Sequence, residues 1–219
     1  MATKGGYIKK TDLDEFRNLR RMGLYAVTLM EGDELVGVRL CREGDTLLMG
    51  TRDGRAIRFS TGDVRTMGRM ARGVRSMRLN AGDQVIDLCV IEEGCLVLNI
   101  TENGYGKRTD PELYREQSRG GMGVKAMALT DKTGPLTAQL VVHESEDILL
   151  ITDDGTIIRM PVSSIRVCGR VAQGVRLMRV GDERRIISVC RAEPEETEAE
   201  TEPEAPAGND ETGSDSTEI

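Results

Sequence analysis

The chain of 219 residues has one histidine, no tryptophan, two phenylalanines and four tyrosines. The single histidine, His143, excludes a His-rich metal site and leaves a Ser-His-Asp triad no choice of base. The five cysteines (Cys41, Cys89, Cys95, Cys168, Cys190) are odd in number and contain no C-x-x-C pair. Cys41, Cys89 and Cys190 lie in or beside apolar runs and read as small buried core residues. There is no G-x-x-x-x-G-K-[ST] phosphate loop and no G-x-G-x-x-G opening a helix. No apolar run approaches the ~18–20 residues of a membrane span, and Met1-Ala2-Thr3-Lys4-Gly5-Gly6 is not a signal peptide. These absences predict a soluble, cytoplasmic chain with no catalytic residues, no metal ligands and no membrane partner.

Charge is unevenly distributed. Residues 193–219 carry 11 acids and no base, whereas the remainder holds 26 acids against 30 bases, a body charge of +4. The whole-chain pI near 5.0 therefore hides a mildly basic body behind an acidic tail. Rich also in Pro, Thr, Ser and Gly, the tail cannot bury enough apolar surface to offset its ordering entropy, and it is expected to be disordered.

The body repeats. Thr3, Thr51, Thr101 and Thr152 each open a segment with a glycine-bearing turn and a basic residue, as in Thr51-Arg-Asp-Gly-Arg-Ala-Ile-Arg58, at spacings of 48, 50 and 51. A second glycine recurs at Gly23, Gly73, Gly123 and Gly174, spaced 50, 50 and 51. These markers define units of about 1–42, 43–92, 93–143 and 144–192 within one body spanning 1–192. Asp53-Gly54, Asn103-Gly104 and Asp154-Gly155 are hairpin signals, since a type I′ turn needs positive φ at both central positions. Apolar runs precede them (Leu47-Leu48-Met49, Cys95–Leu98, Ile148–Ile151), alternating segments such as Val74–Leu79 follow each second glycine, and a further strand closes each unit (Leu35–Leu40, Gln84–Val90, Leu136–Val142, Arg185–Cys190). No segment of 12 or more residues keeps a 3.6 period. The fold class is all-β: four strands per unit make a propeller-like array of small sheets, each packed on its neighbours.

Basic residues repeat in the same frame. Counted from the threonine, position +7 is Lys10, Arg58, Arg108 and Arg159; position +14 is Arg17, Arg65, Arg115 and Arg166; position +18 is Arg21, Arg69, Arg119 and Arg170. Only about one residue in seven is basic, so three columns filled four times out of four are not accidental. Either each column pairs with carboxylates inside its own sheet, or repetition presents the same cation at equal steps around a rim. The +14 and +18 columns flank a glycine-rich connection, which places them at the surface. A curved positive band would neutralise phosphates at intervals and bind with strong salt dependence and little sequence preference. With so few aromatics for stacking, duplex DNA suits such a band better than single strands.

Gly104-Tyr-Gly-Lys-Arg-Thr109, Glu112-Leu-Tyr114, Gln117-Ser-Arg-Gly-Gly-Met-Gly-Val124, Val64-Arg-Thr-Met-Gly-Arg69, Arg72-Gly-Val-Arg75, Ile151-Thr-Asp-Asp-Gly-Thr156 and Val167-Cys-Gly-Arg170 resemble the C-terminal domain of bacterial DNA gyrase A, in register over residues 1–192. The resemblance implies a β-pinwheel, a ring of sheets that exchange strands, whose basic outer face wraps duplex DNA and supports ATP-dependent negative supercoiling. The partners it implies are duplex DNA, the rest of gyrase A, and gyrase B. No cofactor is expected on this chain itself, with ATP and Mg held elsewhere in the holoenzyme, on the bacterial nucleoid. Lys107 joins the three columns as a candidate DNA contact on the same grounds. Gln117, Arg119, Gly120, Gly121 and Gly123 form a degenerate relative of the family's wrapping motif, with Ser118 and Met122 where that motif has bases. None of Tyr7, Tyr25, Tyr105 and Tyr114 has the surroundings of a DNA-cleaving tyrosine. A strand like Leu47–Gly50 should precede Thr3, so the chain reads as a piece of a longer protein or a free-standing derivative. The related domain of topoisomerase IV and a propeller-type protein-interaction scaffold are the alternatives.

Overall fold

The computed structural model describes residues 1–19, 21–181 and 183–194. The tail assigned to 193–219 therefore lies outside the described residues from 195 onward. Fifteen short strands run in chain order: β1 (Ala2–Thr3), β2 (Tyr7–Ile8), β3 (Leu35–Gly37), β4 (Thr46–Thr51), β5 (Arg55–Ser60), β6 (Val74–Arg75), β7 (Val85–Val90), β8 (Leu96–Thr101), β9 (Tyr105–Thr109), β10 (Val124–Lys125), β11 (Leu136–Val142), β12 (Asp147–Thr152), β13 (Ile157–Pro161), β14 (Val175–Arg176) and β15 (Ile186–Ala192). They form four antiparallel sheets ordered β3-β1-β2-β6, β10-β5-β4-β7, β11-β8-β9-β14 and β13-β12-β15. The architecture is the expected all-β pinwheel.

The sheets do not coincide with the sequence units, because strands are exchanged. The segment after Gly73, Gly123 and Gly174 leaves its own unit and pairs on the outside of the preceding sheet: Val74 opposite Ile8, Val124 opposite Ala56, Val175 opposite Gly106. It contributes only two paired residues, shorter than the alternation over Val74–Leu79 suggested.

Both repeat markers have structural causes. The Thr51 and Thr101 hydroxyls accept from the backbone N–H four residues on, at 3.3 and 3.2 Å, as does Thr3 at 3.3 Å, tying each hairpin loop shut. The loop is not the expected two-residue turn. Gly54 N–H donates to Thr51 C=O at 3.0 Å, and glycine alone in the loop takes positive φ (Gly54 +74°, Gly104 +80°), so a tight turn followed by one left-handed residue closes the hairpin. The second glycines need both φ and space: a Cβ on Gly73, Gly123 or Gly174 would stand 2.3–2.5 Å from a carbonyl oxygen of the sheet that receives its strand.

Alternation along each first strand packs its two faces on different neighbours. Leu47 and Met49 join Ile8, Phe59 and Leu88 between the first two sheets, whereas Leu48 joins Val97, Tyr114 and Val141 toward the third. Leu98, Ile100, Ile148 and Leu150 fill the space between the third and fourth. The first and fourth sheets each have a face without a neighbouring sheet among the described residues. That corrects the cysteine reading: Cys89 and Cys95 are buried in the interior, but Cys190 on β15 and Cys41 in the connection between β3 and β4 are exposed. Where β4 has six residues β1 has two, leaving a cleft of about 770 Å³ lined by Ile8, Lys10, Val38, Leu40 and Leu47.

Candidate nucleic-acid interface

Strand order defines an inside and an outside. β3 packs on β7, β7 on β11, and β11 on β15, so these strands face the middle of the array. The opposite edge of the first three sheets, formed by β6, β10 and β14, faces outward. A 3₁₀ turn (Thr61–Asp63, Pro111–Leu113, Val162–Ser164) delivers each unit to this edge, where Thr66, Glu116 and Val167 make parallel bridges to Lys10, Arg58 and Arg108. Each unit thus touches the preceding sheet's outer strand twice, before and after its glycine-rich loop.

The +14 column immediately precedes these bridges. Arg65, Arg115 and Arg166 are exposed and make no side-chain hydrogen bond or ion pair among the described residues. Arg17, also exposed, pairs with Asp14 at 2.9 Å. A further basic set escapes the threonine-anchored frame because it is spaced from the second glycine: Arg75, Lys125 and Arg176, each two residues after it, all exposed on the exchanged strands. Their period-two alternation was the available signal. Tyrosines seat two of them: the Arg75 guanidinium lies 5.3 Å from the Tyr7 ring centre and Arg176 5.3 Å from that of Tyr105. Lys132 covers the same Tyr105 ring at 5.6 Å, and Arg176, donating to the phenol oxygen at 2.7 Å, holds the Tyr105 pKa below its usual range. Tyr7 and Tyr105 therefore position cations rather than offering faces for base stacking. Acids are interspersed, with Glu116 exposed beside Arg115 and Asp63 near Arg65.

In the +7 column three of the four side chains are engaged inside the protein. Lys10, Arg58 and Arg108 turn toward the 3₁₀ turn of the following unit. Lys10 Nζ donates to Thr61 C=O at 3.0 Å and pairs with Glu43 at 2.7 Å. Arg58 donates to Pro111 C=O at 3.0 Å and Glu112 at 2.7 Å, holding the Glu112 carboxyl below its usual range. Arg108, 4% exposed, donates to Ile165 C=O at 2.6 Å, Ser163 C=O at 3.1 Å and Glu144 at 3.3 Å. Arg159, in the last unit, pairs with Asp147 of its own sheet at 2.7 Å. These cations supply donors that a turn's outward carbonyls lack, so Lys10, Arg58 and Arg108 fasten unit to unit, whereas Arg159 stays within its own sheet.

The +18 column fastens in the opposite direction. Arg69, Arg119 and Arg170 donate to the carbonyls of Tyr25, Arg75 and Lys125, each two residues past the second glycine of the preceding unit. Their guanidiniums are half-buried and committed to backbone, whereas Arg21 of the first unit is exposed. Lys107 is fully buried, its ammonium held by the carbonyls of Gly169 and Arg170, and burial pulls its pKa down to about 8. Lys9 does the same between Ala26, Gly68 and Arg69.

The residues of the degenerate wrapping motif also close a junction. Gln117 N–H donates to Arg58 C=O at 3.0 Å, Gly120 N–H to Ser76 C=O at 2.6 Å, and Gly121 C=O accepts from Arg78 at 2.8 Å. Arg119 reaches Asp63 C=O at 2.8 Å, and Gly123, at φ +66°, lies against Ala56. Exposed Ser118 and Met122 occupy the outward positions.

The family model described as "DNA gyrase C-terminal domain, beta-propeller" matches residues 1–42, 45–91, 97–138 and 146–189. The DNA gyrase A protein of Klebsiella oxytoca is 40% identical over 199 residues, covering 90% of this chain and 23% of that protein. The DNA gyrase A protein of Mycolicibacterium smegmatis is 37% identical over 209 residues, covering 94% of this chain and 25% of that protein. The chain thus spans about a quarter of the length of these relatives. Among solved structures, the C-terminal domain of DNA topoisomerase IV superposes with a TM-score of 0.82 at 26% identity (88% of this chain, 60% of that one). The DNA gyrase A C-terminal domain superposes with 0.79 at 25% identity (87% and 64%).

Proposed function

This chain belongs to the DNA gyrase C-terminal domain family, and from that premise we propose that it binds duplex DNA along the outer edge of its sheets. The observation that carries this reading is the repeated outward placement of Arg65, Arg115 and Arg166 together with Arg75, Lys125 and Arg176. Six cations in three equivalent pairs follow a curved edge, and a phosphate backbone bent along it meets one pair per unit. Bending costs about 1–6 kcal/mol for 40–90°, offset by the added phosphate contacts. The contacts on this reading are to phosphate, so binding is governed by counterion release. The wrapped segment serves the remainder of gyrase A and its partner gyrase B in ATP-dependent negative supercoiling, in the bacterial cytoplasm on the nucleoid, with ATP and Mg held outside this chain.

Filter binding to linear duplex at several salt concentrations tests the reading. Six phosphate contacts give a slope of log affinity against log salt of about −5, and replacing Arg65, Arg115 and Arg166 by Ala makes it shallower by about 3. A flat response, or a slope the triple variant leaves unchanged, rejects the outer edge as the interface. Exposed Ser118 and Met122, standing where the wrapping motif has bases, support a second reading, DNA binding without a wrap. Ligation of nicked plasmid on the protein separates the two, since only a wrap changes the linking number.

A further inference from the structure

The outer edge of the third sheet carries a groove of about 680 Å³ whose walls include Tyr105, Lys132, Arg176, Leu177 and Arg179. Its charge has one sign. Three cations line it and no carboxylate does; Asp131, next to Lys132 in the chain, stays outside it. None of the three cations makes an ion pair among the described residues. Two of them converge on one phenol. Arg176 donates to Tyr105 Oη from Nε at 3.2 Å and from Nη2 at 2.7 Å, and the Lys132 ammonium lies 5.6 Å from the centre of the same ring. Like charges gathered around one neutral acceptor repel each other, and an anion in the groove removes that cost.

Lys132 stands there because its loop is longer. The second glycine and the next glycine at positive φ are nine residues apart in the first two units, Gly23 to Gly32 and Gly73 to Gly82, and eleven in the third, Gly123 to Gly134. Asn103 Nδ2 holds the enlarged loop by the Asp131 and Lys132 carbonyls, at 3.3 and 3.2 Å. The other sheets lack this arrangement. Tyr7 on the first sheet has Arg75 as its one cation among the described residues, and the second sheet has Arg55 in place of the tyrosine, committed to the Met122 and Gly123 carbonyls. Neighbouring sheets do not cover this part of the edge: the matching surface of the first sheet, with Arg75 and Arg78 exposed, stays open although three sheets follow it.

We propose that this groove is a phosphate-binding site, with Lys132 and Arg179 as contacts added to Arg176, and that the phosphate it takes belongs to the duplex bound along the outer edge, a step that rests on the DNA-binding reading above. Arg176 keeps Nη1 for a ligand while the phenol fixes the rest of its fork, Arg179 brings a second fork, and Lys132 supplies a compact point charge. A phosphodiester accepts from all three. The steps along the edge are then unequal in strength, and the third sheet is where the duplex is held most firmly.

Two measurements on the full chain test it. The first reads the groove without DNA. Bound anion neutralises the cations that hold the Tyr105 pKa down, so in an absorbance titration the Tyr105 transition, identified by its loss in Tyr105→Phe, is expected to move to higher pH when inorganic tripolyphosphate is added. Lys132→Gln and Arg179→Gln together are expected to abolish that movement; both side chains are exposed, so the fold is not at stake. The second measurement is filter binding of linear duplex over a salt series. Lys132→Gln and Arg179→Gln are each expected to weaken binding and to make the slope of log affinity against log salt shallower by about 1. Arg42→Gln, which removes an equal charge from the connection between β3 and β4, is expected to leave the slope unchanged. A Tyr105 transition indifferent to tripolyphosphate overturns the phosphate site. A transition that moves, while both variants keep the full duplex slope, overturns the duplex as the source and assigns the site to a free phosphoanion. A flat salt response of the unaltered chain rejects the DNA-binding reading instead, and the Tyr105 titration still decides the groove.

Discussion

Arg108 and Arg65 look alike in the amino-acid pattern and have opposite placements, which makes them a decisive pair. Replacing Arg108 by Ala removes donors from the Ile165 and Ser163 carbonyls and leaves a void between the third and fourth sheets. Hydrogen bonds from a charged donor are worth about 1.5–3 kcal/mol each, and the exposed Glu144 partner adds little, so the loss is about 3–5 kcal/mol. For a chain of this size that lowers Tm by on the order of 10 °C. Stacked units couple only to their neighbours, so the fourth sheet should loosen first, as earlier proteolysis within residues 146–192. Replacing Arg65, Arg115 and Arg166 by Ala removes no hydrogen bond among the described residues and should shift stability by less than about 0.5 kcal/mol per site. Urea unfolding and salt-dependent DNA binding, measured on both variants, should separate cleanly: Arg108→Ala loses stability, and below its unfolding transition keeps the salt slope; the triple variant does the reverse. An Arg108→Ala protein with unchanged stability, or with a shallower salt slope while still folded, would refute the assignment of the +7 column to unit fastening.

Asp87 should make stability pH-dependent. Burial, opposed by Arg39 at 3.1 Å and the Leu88 N–H, pushes its pKa up from an ordinary 3.8 to about 6. The folded state therefore holds the proton more tightly than the unfolded one, and this contribution, present below about pH 4, is lost as pH rises through about 6, up to about 3 kcal/mol. Asp87→Asn should remove that slope and be the more stable protein at pH 7; identical urea midpoints against pH for the two proteins would refute it. Gly123→Ala should detach the exchanged strand β10, because its Cβ would stand 2.3 Å from the Ala56 carbonyl; hydrogen exchange at Val124 and Lys125 reads this out, and unchanged protection counts against it. Deleting residues 193–219 should tighten DNA binding at low salt, since tethered carboxylates compete with phosphate within a Debye length of about 10 Å at 0.1 M; equal affinity with and without the tail counts against that competition.

Much of the fold is legible in one dimension because its determinants are local. A threonine hydroxyl closing its own hairpin loop, a glycine at positive φ and an apolar run of strand length act within a few residues, so their recurrence announces four β units. The +14 arginines are readable for the same reason, standing where a short 3₁₀ turn releases the chain to the surface. The +7 and +18 columns repeat as faithfully, and repetition could not separate the readings: fastening every unit to the next demands as regular a pattern as contacting DNA at every step. The basic residues of the exchanged strands show in the sequence only as a period-two alternation, because their outward direction belongs to the preceding unit's sheet.

The sequence alone determined the all-β repeat, its period and which positions carry cations, through steric and hydrogen-bonding rules that operate inside each loop. Only the tertiary structure decided where those cations point. An arginine folds inward when a neighbouring unit brings carbonyls within reach of its guanidinium, as at Arg108, and stays in water when none is offered, as at Arg65. Strand exchange sets that supply of acceptors, and it exists only once the units are assembled.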